Sequence, residues 1–173
     1  MKKYYFKKIF WGEDKSTEVQ FYVSKVITSS VQPITSVMGA VFDKNNDLLL
    51  TKPARGWGLP GGHLEPGETP EACLIRECLE EAEVEINNLQ LIGYWKIKKI
   101  RDIDANKKYP SIAYQLLYLA NVIKVHDFKQ EHEVSERSFV KPHDVGEVHH
   151  NYENFKPILE YILSTSGALE LRI

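Results

Sequence analysis

The chain has 173 residues, 43% apolar and 27% charged, the makeup of a globular protein long enough to bury a core, which excludes intrinsic disorder. Lys plus Arg number 22 against 24 Asp plus Glu, a net charge of −2, so no basic excess points to a nucleic acid polymer. No apolar run approaches the roughly 20 residues of a membrane span and the N-terminus shows no secretory-type apolar segment, so the reading is one cytoplasmic domain over 1–173 with no membrane partner.

Tyr4 to Trp11 and Val19 to Ile27 are rich in aromatic and β-branched residues, separated by the polar GEDKST stretch. They predict an N-terminal β-hairpin, an extension over 1–33 ahead of a core at 34–163. Ile34 to Phe42 reads as a buried strand, the KNND turn reverses the chain, and Leu48 to Thr51 returns beside it. The loop PARGWGLPGG follows; its glycines and prolines forbid regular structure and let the backbone approach a ligand. Thr69 suits an N-cap, Pro70 the first helical position and Glu71 the positive end of the dipole, so a helix runs to about Ala82. Leu89 to Ile100 and Ile112 to Ile123 predict long strands, and Ser138 to Val140 a short one. A closing helix starts near Asn151 with Phe155, Ile158, Leu159 and Ile162 at helical spacing. Strands mixed with two separated helices imply an α/β sandwich with a mixed sheet.

On the first helix, Ala72, Ile75, Leu79 and Ala82 form an apolar stripe expected to pack on the sheet. Cys73 and Cys78 lie about 140° apart on it, too far round to bridge, and read as reduced packing residues; no zinc-type spacing accompanies them. With Glu77 at zero, Glu80 and Glu81 fall at about −60° and +40°, so three carboxylates share a side with Arg76 as the one cation of that turn. An ordinary solvated face would intersperse lysines. Hard Mg²⁺ or Mn²⁺ accounts for the cluster, and beside a glycine loop it suggests phosphoryl chemistry; a plain surface helix is the alternative.

The segment GGHLEPGETPEACLIRECLEEAEV resembles the box of the Nudix hydrolase family, G-x5-E-x7-R-E-U-x-E-E-x-G-U with U apolar. Gly62, Glu68, Arg76, Glu77, Cys78, Glu80, Glu81 and Val84 match in register, and Glu83 stands where the pattern closes with glycine. The resemblance implies a Nudix-type α/β/α sandwich and hydrolysis of a nucleoside diphosphate linked to another moiety. It implies that Glu77, Glu80, Glu81 and the Gly61 carbonyl bind Mg²⁺ or Mn²⁺, with Glu77 also orienting or deprotonating the attacking water. Arg76 would hold the acids and Glu68 would pin the loop to the helix. A further acidic ligand is expected well after the box, at Glu133, with Glu131 and Glu136 as rivals. For Glu83 two outcomes are open: a left-handed residue ending the helix, which is the expectation, or a helix continuing through Val84 and Glu85 to a stop at Asn87 and Asn88.

Outside the box, Lys52 and Arg55 are candidate phosphate ligands and Trp57 a candidate base-stacking residue, although packing of the loop is the commoner role of such a tryptophan. Lys96, Lys98, Lys99 and Arg101 read as a protective basic sheet edge, and His149 and His150 as surface residues at a helix start. Family patterns for ADP-ribose, diadenosine polyphosphates and coenzyme A do not match, which leaves a nucleoside triphosphate or similar small nucleotide, damaged ones included, cleaved to a monophosphate and pyrophosphate. Nucleotide sugars, or a non-catalytic nucleotide-binding module, are the alternatives. The expected partner is the small-molecule nucleotide, with a homodimer as the assembly to test.

Overall fold

The structure, a computed structural model, describes residues 6, 8–11, 16–100, 110–129 and 133–167. Its elements are β1 (Ile9–Trp11), β2 (Thr17–Val23), β3 (Ile34–Phe42), β4 (Leu48–Thr51), α1 (Pro70–Ala82), β5 (Val84–Lys99), β6 (Ile112–Val125), β7 (Arg137–Val140), α2 (Val145–Val148) and α3 (Tyr152–Ser166). The strands form one sheet in the order β1-β2-β5-β6-β3-β4-β7. Only β3 and β6 pair in parallel among the described strands; the other pairings are antiparallel. α1 packs on one face against Val37, Val41, Leu116 and Tyr118, and α2 and α3 on the other against Ala40, Leu48, Leu50 and Leu117. The result is the expected α/β/α sandwich with a mixed sheet. No helix among the described residues is long and apolar enough to cross a membrane.

β2 of the predicted hairpin is stitched along its length to β5, Thr17 opposite Lys99 and Val23 opposite Gly93, and its alternating Val19 and Phe21 are buried. β5 therefore lies between β2 and β6 and is not the basic edge expected from its lysines; Lys98 and Lys96 stand opposite Glu18 and Gln20. Arg101 lies outside the described residues. β5 also starts at Val84, five residues earlier than the apolar pattern suggested. The two asparagines that read as a stop are absorbed instead: Asn88 takes φ 54° where the register with β6 shifts between Asn87 and Gln90.

α1 begins as its residues dictate, with the Thr69 hydroxyl accepting from the Ala72 N–H at 3.2 Å and Pro70 in the first turn. Its buried face is a correction to the stripe read from the sequence. Cys73, Leu74, Cys78 and Ala82 are buried, whereas Ile75 and Leu79 are each 44% exposed and Ala72 is exposed. The helix lies close to the sheet on small side chains. Leu74 reaches into the space left by Gly39 of β3, where an added Cβ would stand 2.9 Å from Leu74 Cδ1. On the helical wheel this rotation moves Glu81 onto the packed side and Glu77 to its margin.

The helix ends at Glu83, which adopts φ 52°, ψ 42°, the left-handed outcome, with its N–H returning to the Cys78 and Leu79 carbonyls. The last turn holds no cation of its own. Arg137 of β7 supplies one from across the fold, donating to the carbonyls of Ala82 and Glu83 and, at 2.5 Å, of His126. A Cβ in the left-handed region costs about 1–2 kcal/mol. Glu83→Gly should therefore raise stability by about 1 kcal/mol, somewhat offset by the lost attraction to Arg137. Chemical denaturation checks this, and a variant less stable than the parent would contradict it.

Candidate functional site

The loop between β4 and α1 runs back along β3. Gly39 N–H donates to the Pro60 carbonyl at 2.9 Å, Val37 N–H to Gly62 at 2.9 Å, and Leu64 N–H to Thr35 at 3.0 Å. Gly61 stands between these rungs with its N–H turned to α1, where it donates to Glu81 Oε2 at 3.1 Å. Both glycines are required. Gly61 has φ 148° and a Cβ there would strike the Val37 carbonyl, while a Cβ at Gly62 would strike the Glu77 carboxylate. The buried Thr51 hydroxyl lies 3.4 Å from the same Glu81 oxygen. Backbone and helix therefore close on two acids from opposite sides.

Arg76 organises the rest. Its Nε and Nη2 grip Glu68 at 2.9 and 3.1 Å, its Nη1 donates to Glu77 Oε1 at 3.0 Å and Glu80 Oε2 at 2.9 Å, and Nη2 also donates to the His63 carbonyl at 3.1 Å. Glu68 additionally accepts from the Glu65 N–H at 2.9 Å. The Arg76 fork, helped by that N–H, pulls the Glu68 carboxyl down to about 2. Glu77 and Glu81 shift the other way. Burial raises Glu77 against the pull of Arg76, and burial pushes Glu81 up to about 7, opposed by the Gly61 N–H and reinforced by the Glu77 charge.

Glu77, Glu80 and Glu81 line a cleft of about 1720 Å³, together with Arg55, Gly61 and Glu133. Arg55 attracts Glu81 electrostatically. Lys52 is placed elsewhere: its ammonium binds Glu136 at 2.5 Å and lies 5.6 Å from the Trp57 ring. That ion pair also engages one rival for the late acid, and the other, Glu131, lies outside the described residues. Trp57 packs on the α3-side core instead of facing the cleft.

His149 and His150, read as surface residues, both line the cleft. His149 stacks on Phe155 with ring centres 4.2 Å apart and on His150 at 5.0 Å. Its burial pulls the imidazole down to about 4. His150 Nδ1 lies 2.6 Å from the Trp57 carbonyl, tying this junction to the glycine loop. Nothing in the sequence pattern around two adjacent histidines marks them, because their position depends on how the α2–α3 turn meets that loop.

The residues present fit a hard divalent cation in donor chemistry: the carboxylates of Glu77, Glu80 and Glu81 line the cleft beside the Gly61 peptide, and burial raises one of them, Glu81, to about 7. Among the described residues no three His, Cys, Asp or Glu side chains are gathered as a finished metal cluster. Glu77 and Glu80 instead share Arg76.

A family model described as NUDIX domain matches residues 32–161. The chain is 35% identical over 60 residues to an 8-oxo-dGTP diphosphatase of Proteus vulgaris, covering 31% of this chain and 54% of that protein. It is 34% identical over 64 residues to an NAD-capped RNA hydrolase, NudC, of Pseudomonas fluorescens, covering 35% of this chain and 23% of that protein. The matches thus span about half or less of these relatives. The fold is similar to that of the Bacillus subtilis pyrophosphohydrolase BsRppH, with TM-score 0.68 and 18% identity over 94% of this chain and 98% of that one.

The raised Glu81 carboxyl has a consequence for stability. The folded chain retains a proton that the unfolded chain releases near 4.5, so this contribution is full below pH 4.5 and is lost as pH rises through about 7. In metal-free buffer, stability should fall by about 2 kcal/mol between pH 5 and pH 8, with Glu77 acting in the same direction. Denaturant melts across that range check it. Glu81→Gln should remove most of the decline, and an unchanged slope in that variant would contradict the assignment.

Proposed function

This chain belongs to the Nudix family, and we propose from that premise that it is a Mg²⁺- or Mn²⁺-dependent pyrophosphohydrolase of small nucleotides. The reaction proposed is cleavage of a nucleoside triphosphate, damaged ones included, to a monophosphate and pyrophosphate. The observation that carries the reading is that Glu77, Glu80, Glu81 and Gly61 line one cleft, with Arg76, anchored on Glu68, holding Glu77 and Glu80 and the Gly61 N–H holding Glu81. The likeness to the 8-oxo-dGTP diphosphatase supports the choice of substrate.

Glu77, Glu80, Glu81 and the Gly61 carbonyl would hold the cation, and Glu133 would be the acid arriving from the later loop. The cation, when bound, supplies neutralisation of the substrate's diphosphate charge and acidification of water. Glu77 orients the attacking water and accepts its proton as the oxygen bonds to phosphorus; the bridging P–O bond breaks and pyrophosphate leaves with the bond's electron pair. Arg76 and Glu68 are positioning residues, because the bidentate grip fixes the guanidinium that in turn aligns Glu77 and Glu80. Arg55 provides a positive charge at the same end of the cleft for the phosphate chain.

Turnover of nucleoside triphosphates should require added Mg²⁺ or Mn²⁺ and stop in excess chelator, with monophosphate and pyrophosphate as products. Glu80→Gln and Glu81→Gln should each lower kcat by roughly 100-fold or more, and Glu77→Gln should lower kcat with KM little changed, as expected of a group acting in the transition state. Full rates in chelator, or parental rates in all three variants, would overturn the proposal.

A further inference from the structure

Arg137 opens β7 and directs its hydrogen bonds to peptide carbonyls alone. Nη1 donates to Ala82 and Glu83 at the end of α1, and Nη2 donates to His126 just past the end of β6. The His126 N–H returns to the Glu83 carbonyl at 2.8 Å, and the Phe128 ring lies 5.3 Å from the guanidinium. Among the described residues no carboxylate stands within ion-pairing distance of it; Glu83 and Asp127 attract it from further off. A half-buried guanidinium thus joins three stretches of backbone where α1, β6 and β7 meet.

Its place in the sheet ties this junction to the carboxylates. Arg137 is the cross-strand partner of Thr51 in β4, and directly opposed residues point to the same face. The Thr51 hydroxyl lies 3.4 Å from Glu81 Oε2, so two side chains of one sheet row reach the last turn of α1. Thr51 meets the Glu81 carboxylate, and Arg137 meets the carbonyl of the next residue, Ala82. The same strand also delivers the late acid, because Glu133 lines the cleft four residues before Arg137. Between them Val134 is buried, the Ser135 N–H and hydroxyl each donate to the Lys52 carbonyl at 3.0 Å, and the Lys52 N–H donates to the Glu136 carbonyl at 2.8 Å. The Glu133 segment is therefore fixed along the end of β4, and its distance from the helix is set where Arg137 grips α1.

We propose that Arg137 is a positioning residue for the cation site: it fixes the last turn of α1 against β7 and so holds Glu80 and Glu81 in register with Glu133. The proposal rests on the metal-dependent reading of those acids. Arg137 touches none of their carboxylates and acts through the backbone that carries them, and loss of such outer support typically costs about 10- to 100-fold in metal affinity.

The test is calorimetric titration with Mn²⁺ in the absence of nucleotide. Arg137→Met should weaken Mn²⁺ binding about tenfold, and at fixed Mn²⁺ it should lower kcat with the nucleotide KM little changed. Loss of the cap also destabilises the fold, so the titration is repeated on Glu83→Gly/Arg137→Met, in which glycine relieves the left-handed conformation. Its denaturation midpoint should recover while its Mn²⁺ affinity stays low, which a merely structural role would not produce. If the methionine variants fail to fold, Arg137→Lys keeps the charge but cannot span three carbonyls, and it should still lose about threefold in affinity. Parental Mn²⁺ affinity in any folded Arg137 variant, or its return in the double variant, would overturn the positioning role and leave metal-dependent hydrolysis standing. A parent that binds Mn²⁺ and hydrolyses no nucleotide, with affinity falling in the variants, would overturn the enzymatic reading and leave the positioning role standing.

Discussion

Glu77, Glu80 and Glu81 line one cleft and Glu68 is tied to them through Arg76, and the rest of the site depends on how the mutual repulsion of these four carboxylates is contained. One guanidinium does most of it. Arg76 places all three of its nitrogens on three of the acids and a loop carbonyl, which keeps Glu68 firmly ionised and holds Glu77 and Glu80 side by side. Glu81 receives no direct cation. Burial raises its carboxyl to about 7 against the pull of a peptide N–H, a threonine hydroxyl and the more distant field of Arg55. The local charge is balanced except at the acid buried deepest, and that imbalance is what a divalent cation would remove.

The fold supplies the constraint that makes this arrangement hold. α1 sits close to the sheet because its contact side is Cys73, Leu74, Cys78 and Ala82 and because Gly39 leaves room for Leu74. Close packing turns Glu81 inward and brings the helix within reach of the Gly61 N–H. The loop is itself locked to β3 by backbone hydrogen bonds on either side of Gly61. At the far end of the helix, Arg137 caps the carbonyls released at the left-handed Glu83, so β5 can begin at the next residue.

Much of this was legible in the residues themselves. The strands Ile34–Phe42 and Leu48–Thr51 and the helix Pro70–Ala82 follow from period, capping chemistry and turn residues, and the left-handed Glu83 from the resemblance to a box that places glycine there. The buried face of α1 did not follow, because a hydrophobicity pattern weights Ile75 and Leu79 by size, whereas the sheet selects small residues at close approach. The start of β5 was missed because Asn87 and Asn88 look like a terminator and instead form a bulge within a paired strand. Lys52 was a candidate for the site on sequence proximity alone, and its partner Glu136 lies 84 residues away. The same holds for His149, whose place in the cleft depends on how the α2–α3 turn meets the glycine loop, which no local pattern encodes.

The central proposal is that Glu81 stands part-buried and under-compensated where a divalent cation would bind, and proton release measures it most directly. Calorimetric titration of the protein with Mg²⁺ at pH 7 in buffers of different ionisation heat gives the number of protons expelled per ion bound. With the Glu81 carboxyl at about 7, the account predicts release of ~0.5 proton from this group at pH 7, falling to ~0.1 at pH 8 and absent in Glu81→Gln. Binding with no proton release at pH 7, or with the same release in the glutamine variant, would contradict it.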